Sequence, residues 1–147
     1  MKYSGWFLAV TASAVLLSSG AARAEEASAL PKGFSAAPVF KSGKTADGDP
    51  LVYLQTQKPE IVSVVGTIEP KGQTPLHRHP VPVFVYILEG QFAAQTEGKE
   101  RRNYKAGDAF LETVNVWHQG FNDSDQPTKL LITFLGEEGK PTTETKK

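Results

Sequence analysis

From residue 51 onward the chain is cut into short β-rich runs by turn residues, and no window carries a convincing helical period. Runs at 51–57 and 61–68 flank Lys58-Pro59, and Glu69-Pro70-Lys71-Gly72 forms a turn. The run 83–88 ends at Glu89-Gly90. Runs at 91–96 and 100–104 flank Glu97-Gly98-Lys99, a hairpin signal. After Ala106-Gly107-Asp108 come 109–112 and 117–121, then the turn cluster 122–127, then a last apolar run at 129–135. Eight or more short strands with such punctuation predict an all-β sandwich or barrel.

The run Val83, Phe84, Val85, Tyr86, Ile87, Leu88 is the most apolar stretch after the N-terminal region. Alternation sends Val83, Val85 and Ile87 to one face and Phe84, Tyr86 and Leu88 to the other. A strand apolar on both faces is buried on both. Its outer face therefore needs a cover, either the segment 30–40 or a second subunit.

Only three histidines occur, and all fall in two strand-like blocks. His77 and His79 sit one residue apart, so in a strand both rings face one side, with Cβ atoms roughly 6–7 Å apart. Two such imidazoles can reach one ion, and His118 can join from a neighbouring strand. Lone histidines are commonly scattered surface or core residues; three gathered into two strand-like blocks point instead to a divalent transition metal such as Fe, Mn or Zn. Ligand type alone does not choose among these.

The two blocks resemble the signature motifs of the cupin superfamily, in its small single-domain (type 2) branch. Gly72, His77, His79 and Gly90 match the first motif, and Gly107, His118 and Asn122 the second. The resemblance covers about residues 50–136. It implies a double-stranded β-helix, or jelly-roll barrel, with the histidines turned into its cavity. It also implies Val83, Val85 and Ile87 as cavity wall, and a homodimer. The chain departs from the pattern at Val83, where the family carries a metal-binding glutamate, and at Thr113 and Asn115, where it carries the proline and glycine of a turn.

With Val83 in the carboxylate position, the ligand set is expected to be three neutral imidazoles. A divalent ion so held keeps its full charge and favours oxygen-rich anions. Three-histidine cupins look like iron dioxygenases, so a dioxygenase-like enzyme on a small oxygen-rich or anionic molecule is the leading expectation. A non-oxidative metal isomerase, lyase or cyclase and a non-catalytic binding barrel are the alternatives. Glu112 is the candidate fourth ligand. The turn between it and His118 breaks simple alternation, so a solvent-facing hairpin residue is the expected reading. Asn122 is expected to shape its turn, Arg78 and Trp117 to face away from the cavity, and Tyr53, Gln55 and Gln73 are candidate polar cavity residues.

Residues 1–24 read as a secretory signal peptide: Lys2, then twelve apolar-rich residues at 6–17, then Ala22-Arg23-Ala24. Twelve residues are too few to span a bilayer, so no permanent membrane anchor is expected, and the protein is expected to be periplasmic or secreted. Residues 25–50 read as an N-terminal arm with one short strand near Phe40, residues 51–136 as the barrel, and residues 137–147 (EEGKPTTETKK) as a disordered tail. Without Lys2 and Arg23, 14 basic side chains face 16 acidic ones, and no basic stripe points to nucleic acid. Cysteine is absent, which removes disulfides, thiolate ligands and thiol catalysis. Any metal must be held by nitrogen and oxygen.

Overall fold

The structure is a computed structural model, which describes residues 32–147. The expected signal peptide and residues 25–31 of the expected arm lie outside the described residues. Within the compact unit Ala36–Lys147 the chain forms nine strands: β1 (Pro59–Ile68), β2 (His77–Arg78), β3 (Val83–Glu89), β4 (Gln91–Thr96), β5 (Arg102–Lys105), β6 (Ala109–Leu111), β7 (His118–Phe121), β8 (Thr128–Glu137) and β9 (Glu144–Thr145). They make two sheets, in the orders β1-β8-β3-β6 and β5-β4-β7-β2-β9. Every pairing between named strands is antiparallel. This is the expected all-β, jelly-roll architecture of a double-stranded β-helix.

Strand parity sets the core. Val83, Val85 and Ile87 are 0–1% exposed and turn inward with Phe110, Leu130 and Phe134. Burying a side chain of this size contributes about 1.5–3 kcal/mol, so this one face of β3 anchors the barrel. The outward Phe84 packs on Phe40, ring centroids 5.6 Å apart, so the segment before residue 41 does cover part of the outer face. The β3–β4 turn needs glycine at Gly90: φ is +80°, and a Cβ there would sit 2.7 Å from the Pro127 carbonyl. Asn122, fully buried, holds its turn as expected. Its Nδ2 donates to the carbonyls of Ile68, Glu69 and Gln126, and its Oδ1 accepts from Ser124.

Four expectations need correction. The β-rich run 51–57 forms no strand; Val52 and Tyr53 stay over 60% exposed, because propensity without a partner edge makes no ladder. No strand forms near Phe40 either. Residues 36–50, read as arm, belong to the compact unit: the Ala46 N–H donates to Leu111, and Thr113 donates its hydroxyl to the buried Asp47 carboxylate. Residues 137–147, read as disordered, include the end of β8 and all of β9, and β9 pairs with β2 beside the histidines.

Candidate metal centre

His77 on β2 and His118 on β7 are direct cross-strand partners, and the Cα register continues His77 onto Thr145 of β9. His79 lies just past β2, bridged to Val114. The three rings stand 4.5–5.1 Å apart by centroid, and one ring nitrogen of each lies within 4.8 Å of the others. The sequence expectation that His77, His79 and His118 meet is thus met in space.

Each ring is oriented by a backbone carbonyl. Nδ1 of His77 lies 2.7 Å from Pro75 O, Nδ1 of His79 2.8 Å from Thr142 O, and Nδ1 of His118 2.8 Å from Val116 O. A carbonyl can only accept, so every Nδ1 carries the proton. In the neutral rings the Nε2 lone pairs are then the free donors toward a cation. Carbonyl-anchored imidazoles of this kind are how proteins fix tautomer and aim for metal ligation.

Glu112 departs from its expected position. It is not a solvent-facing hairpin residue: its side chain is 12% exposed, and Oε2 stands 3.0 Å from His79 Nε2 and 3.6 Å from His118 Nε2. The register Phe84↔Leu111 puts Glu112 opposite Val83, and the Glu112 N–H donates to the Val83 carbonyl at 3.0 Å. The carboxylate lacking at 83 is therefore supplied from the position directly across the ladder. The intervening turn works because Asn115 takes φ +60°, a conformation that asparagine tolerates better than most residues, where the motif it resembles has glycine. The expectation of a site with no carboxylate is overturned.

Burial would push the Glu112 carboxyl up, but its contacts with His118 and His79 outweigh that and hold it down at about 2. Burial lowers His77. Burial also works to lower His118, but the Glu112 carboxylate prevails and its net shift is upward. Glu112 Oε2 and His118 Nε2 are both buried without a hydrogen-bond partner. In the neutral tautomers, Nε2 and Oε2 confront one another as lone pairs, an arrangement that a shared cation resolves. By that test, the three clustered nitrogens fit a divalent transition metal ion, with the Glu112 carboxylate beside two of them.

His77, His79 and Glu112 line a cavity of about 240 Å³. Its remaining wall is Val85, Phe92, Leu130, Ile132 and Phe134, with Pro75, Gly120 and the hydroxyl-bearing Thr74, Thr143 and Thr145. Of the three expected wall residues only Val85 lines it; Val83 and Ile87 share that face but are packed into the core. Tyr53 and Gln55 line a separate cleft, and Gln73 is exposed. Arg78 and Trp117 lie outside the cavity wall as expected, with the guanidinium 4.9 Å from the indole centroid. Sequence reasoning missed the contribution of residues 142–145, whose polar composition gives no hydrophobic signal.

An antiparallel double-stranded β-helix with inward histidines on paired strands defines a small barrel of the metal-centre type. Residues 64–134 match a family model described as a Cupin domain, which agrees with the resemblance carried by the histidine blocks. A search of curated proteins found no match. Among solved structures, similar chains include oxalate decarboxylase from Lactobacillus farciminis in a formate complex (TM-score 0.51, 22% identity) and DMSP lyase from Ruegeria pomeroyi DSS-3 (TM-score 0.51, 21% identity). A third is oxalate decarboxylase from Bacillus subtilis (TM-score 0.51, 26% identity). Each alignment covers 58% of this chain and, in that order, 26%, 42% and 23% of the other. This chain thus spans less than half the length of each of these three structures.

Proposed function

We propose that this protein is a metal-dependent cupin that holds one divalent transition ion on His77, His79, His118 and Glu112 and coordinates a small oxygen-bearing ligand beside it. The observation that carries the reading is the pair of buried, partnerless atoms, Glu112 Oε2 and His118 Nε2, facing one another among carbonyl-anchored rings. When bound, the ion supplies Lewis-acid charge to a ligand oxygen. The chain's own groups do the rest. The Pro75, Thr142 and Val116 carbonyls fix ring orientation, and Val85, Phe92, Leu130, Ile132 and Phe134 exclude water from the ligand.

The reaction class best supported is non-oxidative, a lyase or decarboxylase type of bond cleavage. The expectation of a dioxygenase rested on a site without a carboxylate, and Glu112 removes that ground. The similar structures include a DMSP lyase and an oxalate decarboxylase with Mn(II) centres, which supports manganese as the first ion to test. The dioxygenase-like reading stands second, favoured by the three imidazoles it requires. Turnover of a small-carboxylate panel that proceeds equally with and without O2 would support the first reading; turnover that needs O2 would support the second.

Export and self-association belong to the same proposal. Residues 1–24 support export to the periplasm or medium, and intact mass from an envelope fraction tests it by a mature N-terminus at Glu25. A homodimer is supported by β1, an edge strand carrying Ile61 and Val65 at 69% and 62% exposure. Light scattering at a range of concentrations tests that, and a monomer throughout would remove it.

A further inference from the structure

The cavity's charge is unusually simple, and it bears on what can enter. Among the residues lining it, the only ionisable groups are His77, His79 and Glu112, and His118 adds its ring from β7. Among the described residues, no lysine or arginine lines it. The nearest candidate cation by sequence, Arg78, is committed elsewhere: its Nε donates to Glu144 Oε2 at 2.8 Å, and its guanidinium lies over Trp117. Three neutral imidazoles, one carboxylate and one divalent ion sum to a single net positive charge. That sum can be matched by one negative charge on a ligand and no more.

We propose that the cavity takes a compact monocarboxylate with an apolar body and discriminates against dicarboxylates of the same shape. The inference rests on the reading of His77, His79, His118 and Glu112 as ion ligands. One carboxylate of the ligand lies at the ion, where hard oxygen suits an N/O ligand set. The body of the ligand then meets Val85, Phe92, Leu130, Ile132 and Phe134. A hydrocarbon body gains from displacing water along that wall. A second carboxylate there has no counter-charge, and the Thr74 hydroxyl already donates to the Pro75 carbonyl; burying an unpaired charge in apolar surroundings is strongly unfavourable. Size sets a further bound. A cavity of about 240 Å³ holds roughly eight waters at the liquid share of about 30 Å³ each. A ligand of about that many heavy atoms fills it.

The test uses the full mature protein, loaded with Mn(II) and freed of excess metal, and two ligands of matched outline. 4-Methylpentanoate and succinate differ in that an isopropyl group in one replaces a carboxylate in the other. Dissociation constants are read by ligand-detected paramagnetic relaxation, with Mn(II) counted on the protein before and after each titration. The expected result is at least about tenfold tighter binding of 4-methylpentanoate, lost in metal-free protein. Ile132→Arg places a cation on the wall at a partly exposed position, where the long side chain can reach solvent. In that variant the gap should close or reverse. Succinate binding as tightly as 4-methylpentanoate to the Mn(II)-loaded parent would overturn the inference and leave the metal reading standing, as would failure of both to bind. Failure to take up Mn(II) would remove this inference, and failure to take up Mn(II), Fe(II) and Zn(II) alike would remove the metal reading with it.

Discussion

The barrel strands and the segment after residue 137 meet at His79, yet different physics holds each in place. On the barrel side, β3 buries Val83, Val85 and Ile87 completely, and β1 and β8 pair over ten residues. On the C-terminal side, β9 is two residues long, and Thr145 is exposed. Its order comes from polar contacts: Thr142 O on His79 Nδ1, Thr143 Oγ1 3.1 Å from the same nitrogen, the Glu144–Arg78 pair, and Lys146 on Glu97. One region supplies the frame and the other finishes the site. The lesson is that a segment with no hydrophobic signal can aim a metal ligand, because one carbonyl in the right place is enough.

The largest effect is expected on the barrel side. Asn122→Ala removes donors to three carbonyls at a fully buried site, and each orphaned acceptor is costly. A loss of about 3 kcal/mol or more is expected in urea unfolding, against little effect from any single change after residue 137.

The second effect is on pH stability of the metal-free protein. The Glu112 carboxyl is lower in the folded chain than its ordinary value of 4.5, so its contribution is complete above 4.5 and lost as pH falls toward about 2. That range is worth about 3 kcal/mol, and Glu112→Gln should flatten it. His118 is raised above 6.5, so its contribution is complete below 6.5 and lost as pH rises through its folded value. Thermal unfolding from pH 2 to 9 checks both slopes.

Removing residues 138–147 acts on the other side of His79. His79 loses its orienting carbonyl, and loss of such a partner lowers metal affinity about 10–100-fold. The barrel should keep its far-ultraviolet spectrum and most of its stability, because none of the buried hydrophobic core comes from these residues. The smallest effect is expected for Glu144→Ala. Its pair with Arg78 is short but half-exposed, with side chains 42% and 36% accessible, so about 0.5 kcal/mol or less is at stake. A large loss of stability in that variant would show that the C-terminal segment is part of the frame after all.

Much of the fold was legible because period-2 runs and turn residues carry it directly. β1, β3, β4, β6, β7 and β8 all fall within two residues of the expected runs. The run 51–57 was misread because a β-rich composition says nothing about whether an edge is available to pair with. The meeting of the three histidines was legible from the spacing of His77 and His79 and the placement of His118. The position of Glu112 was not, because it depends on the β3–β6 register and on a turn turned by Asn115, both tertiary facts. Residues 137–147 look disordered by composition, and their order is legible only once Arg78, His79 and Glu97 are known to lie beside them.

The central claim is that four side chains hold one ion together. The most direct measurement is metal content and stoichiometry, by elemental analysis after Mn(II), Fe(II) or Zn(II) loading and dialysis, of the parent beside His77→Ala, His79→Ala, His118→Ala and Glu112→Gln. The account predicts one ion per chain in the parent and near-complete loss in each histidine variant, with Glu112→Gln binding clearly more weakly than the parent. An unchanged ion count in His118→Ala, or a parent that binds none of the three metals, would contradict it.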